Sequence, residues 1–255
     1  GSPDDKAQEA AELVEKRGFN ALKFDPFPGP WREYPNRDEL AEAADTVGKV
    51  REAVGPHVEL LIEVHRRLAP VHAISAAKQM EKYNPYWFEE PCPPDNIDAI
   101  LEVKNNTTIP VVTGEAHYTR NGFREIFDKR AVDIINPDIC NTGGILELTQ
   151  IAAMAQPHYI AVSPHGYNST SIGCAAAVHA SATIPNFLIY EYFVNVEDVC
   201  RNITKGYLEP NNSYIELPTD PGLGIEIDET KLANHPYAPF PPRNIRTVED
   251  ERRWH

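Results

Sequence analysis

The sequence lacks the common motifs for binding zinc or a dinucleotide. Its four cysteines are scattered, without a C-x-x-C pair, and its nine histidines form neither H-x-H nor H-E-x-x-H. These absences argue against a zinc site, a zinc hydrolase and a disulfide framework, and they favour reduced thiols in a cytoplasmic protein. No G-x-G-x-x-G follows a predicted strand, which argues against a doubly wound dinucleotide-binding sheet.

Positive charge and long apolar runs are also scarce. Lys and Arg number 24 against 38 Asp and Glu, and the net charge of −14 argues against a nucleic acid or an anionic membrane as partner. A small anionic substrate stays compatible, because a bound metal dominates the local field of a pocket. No run is long enough to cross a membrane, and we see no signal peptide.

What the sequence does contain is a regular alternation of helix-like and strand-like segments over 255 residues, 42% of them apolar. A helix is predicted at the start, from the capping residue Ser2 to about Arg17. Seven strands separated by helices are predicted at 21–24, 59–63, 86–89, 110–114, 132–136, 159–163 and 187–191. This α/β alternation predicts parallel strands with right-handed crossovers, as in a TIM-like barrel.

The domain prediction follows from the strand count. A barrel of this kind closes with eight strands, so we expect one strand to precede residue 1. We predict a barrel domain over residues 1–194, incomplete at its N-terminus. From residue 195 the alternation loosens and proline becomes frequent, so residues 195–255 are expected to form a segment that packs on the barrel.

Three carboxylates end successive predicted strands at equal spacing. Glu63, Glu89 and Glu115 lie 26 residues apart. The carboxyl ends of barrel strands meet on one face, where three carboxylates would repel one another without a cation. Oxygen-only ligands suit Mg²⁺ better than Zn²⁺, so the sequence predicts a Mg²⁺ site.

Other strand ends carry groups that can take part in chemistry at the same rim. These groups are Lys23, Asp25, His65, Asp138, His165 and Glu191. His117 is a further candidate for contact with a substrate.

In order and spacing, several short motifs resemble the enolase superfamily, in its mandelate racemase and muconate lactonizing branch. The motifs that carry the resemblance are Gly18-Phe19-Asn20-Ala21-Leu22-Lys23-Phe24-Asp25, Glu63-Val64-His65, Trp87-Phe88-Glu89-Glu90-Pro91, Thr113-Gly114-Glu115, Asn136-Pro137-Asp138, Ser163-Pro164-His165-Gly166 and Pro221-Gly222-Leu223-Gly224. The resemblance implies a (β/α)7β barrel, here without its first strand and without the N-terminal α+β cap of the family. The segment 195–255 would then pack on the barrel or return to that cap.

The resemblance also implies a role for each residue. Glu63, Glu89 and Glu115 match the Mg²⁺ ligands, although the first ligand is usually Asp. His165 and Asp138 match a general-base dyad. Glu191 matches an acid that hydrogen-bonds the substrate, and Lys23 matches the first lysine of a K-x-K element.

Asp25 and His65 indicate which reaction in the branch to expect. Asp25 replaces the second lysine of K-x-K, which argues against a racemase with bases on both faces, and it is placed with His117 among the substrate-binding residues. His65 matches a histidine that protonates a departing hydroxyl in galactonate-type dehydratases. The resemblance therefore implies a homo-oligomeric lyase that converts a sugar acid to a 2-keto-3-deoxy acid. The alternatives that remain are an epimerase or racemase, a cycloisomerase, and a non-catalytic barrel fragment or paralogue.

Overall fold

A computed structural model describes residues 2–29, 33–167 and 169–239. Residues 240–255 of the predicted C-terminal segment lie outside this part of the chain. The described residues fall into two compact units, one containing 2–16, most of 20–109 and 237–239, the other 17–19 and most of 110–236. The predicted boundary at residue 195 stays a prediction.

The first unit alternates helices with short parallel strands. Its elements in chain order are α1 (Pro3–Arg17, of which the last residue groups with the second unit), β1 (Ala21–Phe24), α2 (Arg37–Val54), β2 (Glu59–Glu63), α3 (Pro70–Met80), β3 (Trp87–Glu89) and α4 (Ile97–Lys104). Strand β2 pairs in parallel with both β1 and β3. Leu61 is paired with Lys23 on one side and with Trp87 on the other, which fixes the register.

Two helices of this unit begin where local side chains satisfy the free backbone donors. At α1 the Ser2 hydroxyl accepts from the Asp5 N–H at 3.2 Å, and Asp5 Oδ2 accepts from the Ser2 N–H at 2.7 Å. At α2 Asn36 and Glu39 form the same reciprocal arrangement. The predicted start of the first helix is confirmed.

The second unit continues the alternation and then adds smaller elements. In chain order these are β4 (Val111–Thr113), α5 (Thr119–Lys129), β5 (Ile134–Ile135), α6 (Ile139–Thr142), α7 (Ile145–Ala155), β6 (Ala161–Val162), α8 (Thr170–Ser181), α9 (Glu197–Ile203), β7 (Thr204–Lys205), β8 (Glu226–Ile227) and α10 (Glu229–Leu232). Strand β5 pairs in parallel with β4 and β6, whereas β7 and β8 form an antiparallel pair.

The predicted strand at 187–191 is wrong in extent. Only Phe187 forms a bridge there, in parallel with Val162. The Leu188 N–H donates to the Val162 carbonyl at 2.8 Å. The next donor in a parallel ladder would belong to Pro164, which has no N–H, so regular pairing stops after one bridge.

The region after residue 195 is more regular than its sequence indicates, since it contains α9, the β7–β8 pair and α10. The described strands are rich in fully buried apolar side chains, among them Leu60, Ile62, Phe88, Val112 and Ile135. All four cysteines are free thiols. Among the described residues, no helix is long and apolar enough to cross a membrane.

Candidate active site

In the first unit, two buried carboxylates at strand ends share one lysine. Glu63 ends β2 and Glu89 ends β3, and their neighbouring register places them side by side. Lys23 Nζ lies 2.5 Å from Glu89 Oε1 and 3.1 Å from Glu63 Oε2. Two carboxylates buried side by side repel each other, and the Lys23 ammonium group offsets that repulsion.

Both carboxylates receive further hydrogen bonds from nearby donors. The His65 N–H donates to Glu63 Oε1 at 2.6 Å, and the Trp87 indole N–H donates to Glu89 Oε2 at 2.9 Å. Burial alone would raise the pKa of Glu63, but the charges of Lys23 and His65 outweigh it and lower the pKa to about 2. Glu63 is therefore an anion at neutral pH.

A second cluster in the same unit surrounds Asp25. Oδ2 of Asp25 lies 2.9 Å from His65 Nδ1 and also pairs with the Arg67 guanidinium. Oδ1 of Asp25 accepts from the Phe27 N–H at 2.9 Å. Burial lowers the pKa of Arg67, and the nearby Asp25 carboxylate opposes that shift.

The backbone after β2 holds this cluster in an unusual conformation. His65 and Arg66 have φ angles of 57° and 60°, although neither is glycine. Each such residue costs about 1–3 kcal/mol and persists only where its surroundings fix it. Here the Arg66 N–H donates to the Glu90 carbonyl at 2.7 Å, and Arg67 Nε donates to the Val64 carbonyl at 2.8 Å.

In the second unit, His165 lies among three carboxylates. Its Nδ1 is 2.7 Å from Asp138 Oδ2, and its Nε2 is 2.7 Å from Glu115 Oε2 and 3.5 Å from Glu191 Oε2. Asp138 is itself fixed, because its Oδ1 accepts from the Cys140 N–H at 2.8 Å at the start of α6. The ring of His165 is therefore held by a carboxylate whose orientation is set by the backbone.

Gly166 permits the close approach of Glu191 to this histidine. The Gly166 N–H donates to Glu191 Oε2 at 2.9 Å, and the Glu191 N–H donates to the Pro164 carbonyl at 3.2 Å. A Cβ atom at residue 166 would overlap the Glu191 carbonyl oxygen. The sequence Pro164-His165-Gly166 thus suits this contact for steric reasons.

His117, expected from the sequence to contact a substrate, is a buried residue that follows β4. Its N–H donates to the Gly114 carbonyl at 3.0 Å, and its ring centroid lies 5.7 Å from that of Phe123. These contacts support a packing role, and binding of a substrate by His117 stays a prediction.

Carboxylates that could act as metal ligands stand at or just after strand ends in both units. Glu63 and Glu89 lie in the first unit and Glu115 in the second, and each offers a carboxylate oxygen as a ligand atom. An all-oxygen, anionic donor set fits a hard divalent cation such as Mg²⁺.

Two residues of the first unit were given no role in the site from the sequence. Trp87 could have been found, because it precedes Glu89 by two residues and so shares its face of β3. Arg67 gives no such signal, since it follows β2 in an irregular turn and reaches Asp25 through a long side chain.

Alternating strands and helices, with acidic residues at the strand ends, define a class of α/β proteins with a candidate metal site. Residues 5–231 match the family described as Enolase C-terminal domain-like, and the chain belongs to this family. The expected enolase-superfamily membership, in the mandelate racemase and muconate lactonizing branch, is confirmed, as is the α/β fold of that family.

Among solved structures, the chain is similar to a mandelate racemase/muconate lactonizing enzyme-like protein from Rubrobacter xylanophilus. The TM-score is 0.87 at 35% identity, covering 93% of this chain and 64% of the other.

Two curated relatives have names that specify a reaction. The chain is 33% identical to a D-xylonate dehydratase of Haloferax volcanii over 240 residues, 92% of this chain and 58% of the relative. It is 33% identical to a D-gluconate/D-galactonate dehydratase of Picrophilus torridus over 228 residues, 89% of this chain and 57% of the relative. The chain thus spans somewhat more than half the length of the curated relatives it matches.

Proposed function

We propose that this chain carries the catalytic residues of a Mg²⁺-dependent lyase that dehydrates an aldonic acid to a 2-keto-3-deoxy acid. The observation that carries the proposal is the His165–Asp138 pair, whose histidine also contacts Glu115, a proposed metal ligand. The names of the curated relatives support a sugar acid as substrate.

The proposed ligands of Mg²⁺ are Glu63, Glu89 and Glu115. When bound, Mg²⁺ supplies positive charge beside the substrate carboxylate, which becomes more negative as the α-proton leaves. Lys23 adds a second positive charge at the same place, since its ammonium group already contacts two of these glutamates.

His165 is the proposed general base. Asp138 holds its Nδ1–H, so Nε2 is the nitrogen that takes the proton from the α-carbon. Glu191 lies on the Nε2 side of the ring and is placed to hydrogen-bond an oxygen of the substrate.

His65 is the proposed general acid. It gives a proton to the hydroxyl group on the β-carbon, the carbon–oxygen bond breaks, and the hydroxyl leaves as water. The resulting enol then ketonises to the 2-keto acid. A neutral leaving group lowers the barrier, because hydroxide is a poor one.

A screen of aldonic and related acid sugars tests the proposal, with the complete native polypeptide, Mg²⁺ and detection of 2-keto acids. We expect turnover by the wild type and none by His165→Asn. Equal, near-zero rates for both proteins on every acid would contradict the proposal and favour a non-catalytic role. Exchange of the α-hydrogen with solvent deuterium without loss of water would instead indicate an epimerase or cycloisomerase. Cytoplasmic location and homo-oligomeric assembly stay predictions.

A further inference from the structure

We infer that Asp25 and Arg67 are positioning residues that orient His65 for proton transfer, and that Asp25 does not bind the substrate. This inference rests on the proposed function, in which His65 is the general acid. It concerns only residues of the first unit.

The contacts of Asp25 support this role, because both of its carboxylate oxygens are engaged by the protein. Oδ1 accepts from the Phe27 N–H, and Oδ2 contacts both His65 Nδ1 and the Arg67 guanidinium. The backbone carbonyl of Asp25 also accepts from Lys6 Nζ at 2.5 Å. Because Phe27, His65 and Arg67 all hold this carboxylate, it is suited to orienting a neighbouring side chain rather than to binding a substrate.

Arg67 connects the two loops that carry this pair. Its Nε donates to the Val64 carbonyl in the loop after β2, whereas its Nη2 pairs with Asp25 in the loop after β1. Its guanidinium carbon also lies 5.3 Å from the ring centroid of Phe27. The Arg67 side chain is almost fully buried, so its guanidinium group is fixed by packing as well as by hydrogen bonds.

The consequence for His65 is a defined ring orientation and tautomer. The carboxylate of Asp25 accepts the proton on Nδ1, so the imidazolium would deliver its Nε2 proton to the departing hydroxyl and remain as the neutral ring with Nδ1–H. The strained backbone at His65 and Arg66 fits this assignment, since it turns the ring toward Asp25 while the His65 N–H stays on Glu63.

The arrangement resembles that of His165 and Asp138 in the second unit, where Nδ1 also lies against a carboxylate fixed by a backbone N–H. The described residues therefore include two histidine–aspartate pairs with the same ring nitrogen engaged. We assign the first pair to proton donation and the second to proton removal.

The test separates the two halves of the reaction in the complete, Mg²⁺-loaded protein. We expect Asp25→Asn to lower dehydration about 100-fold, the scale of losing a well-placed general acid. Exchange of the α-hydrogen with solvent deuterium should persist at the rate seen in His65→Gln, because His165 is untouched. The double variant Asp25→Asn/His65→Gln should dehydrate no more slowly than His65→Gln alone. Arg67→Lys should show a smaller loss of dehydration and also retain exchange.

A matched control is Asp45→Asn, which removes an exposed aspartate of α2 in the same unit and should leave both rates unchanged. A parallel loss of exchange and dehydration in Asp25→Asn would overturn the inference. So would a raised KM with an unchanged kcat, which would make Asp25 a substrate ligand.

A measurement without turnover distinguishes failure of this inference from failure of the proposed function. In ¹⁵N-histidine spectra, the signal of His65 is the one that is absent in His65→Gln. We expect this signal to show a protonated Nδ1 in the wild type. In Asp25→Asn it should show a changed ratio of the two ring tautomers. An unchanged His65 signal would overturn the positioning role. A wild type that dehydrates no acid sugar but shows this change would remove the proposed function and leave the pairing intact.

Discussion

The Nδ1 atom of His165 lies 2.7 Å from Oδ2 of Asp138, and the backbones of the two residues form an isolated parallel bridge. The geometry of this pair is therefore set by main-chain pairing as well as by the side chains. A proton acceptor whose tautomer and direction are fixed in advance needs little reorganisation when the substrate arrives.

From this pairing we predict that Asp138→Asn lowers dehydration by about 100-fold or more, because the asparagine amide can donate to Nδ1 and so favours the wrong tautomer. Initial rates of 2-keto acid formation measure the effect. Exchange of the α-hydrogen should fall with it, since both processes need His165 as base. Asp128→Asn, an exposed change in α5, serves as control, and an unaltered exchange rate in Asp138→Asn would contradict the base assignment.

Much of the fold could be predicted from the sequence, because the periodic elements carry local information. The capping residue Ser2 marked the first helix, and the apolar runs ending in Glu63 and Glu89 marked two strands that the structure confirms. The last strand was overestimated because its partner contains Pro164. The hydrophobic pattern predicts which segments are strand-like, but it does not predict whether the neighbouring strand offers a backbone N–H for pairing.

The site was predictable to the extent that it depends on strand ends. Period-two alternation and strand order selected Lys23, Glu63 and Glu89, which the structure brings into contact. The link from Arg67 to Asp25 was not predictable, because it depends on a turn with two left-handed residues and on the reach of a long side chain. Such contacts arise from tertiary structure and leave no periodic signal.

The contact between Gly166 and Glu191 leads to a second prediction. Gly166→Ala should lower turnover at least 10-fold and destabilise the protein by about 1–3 kcal/mol, since the added methyl group overlaps the Glu191 carbonyl oxygen. Chemical denaturation and initial rates measure the two effects. Gly29→Ala is the matched control, because its Cβ would meet no atom within 4 Å. Wild-type activity in Gly166→Ala would show that the loop adjusts without cost.

A third prediction concerns Mg²⁺ and Glu89. If the glutamates bind the ion in the folded protein, Mg²⁺ should raise the free energy of unfolding, by about 2.7 kcal/mol at a concentration 100 times Kd. Glu89→Gln should abolish most of this increase, because the amide removes the negative charge and one anionic ligand. Denaturation with and without Mg²⁺ measures the difference. Glu102→Gln, at an exposed position of α4, should retain the full increase. An equal increase in both variants would place the ion elsewhere.

The last prediction concerns acid stability and the buried Glu197. Burial raises the pKa of this carboxyl group, but the Arg17 guanidinium, which contacts both of its oxygens at 2.9 and 2.6 Å, lowers it below the ordinary value. A pKa that is lower in the folded state gives stability that is present above the unfolded value of about 4.3 and is lost as the pH falls further. Glu197→Gln should therefore cost about 1–3 kcal/mol at pH 7, and the difference from wild type should shrink below about pH 4.

Urea denaturation of both proteins over this pH range measures the change in the free energy of unfolding. Asp198→Asn is the matched control, because this neighbouring carboxylate is fully exposed and pairs across the helix surface with Arg201. It should leave stability and its pH dependence unaltered. A constant difference between wild type and Glu197→Gln from pH 7 to pH 3.5 would mean that packing, rather than the Arg17 ion pair, accounts for the contribution of Glu197.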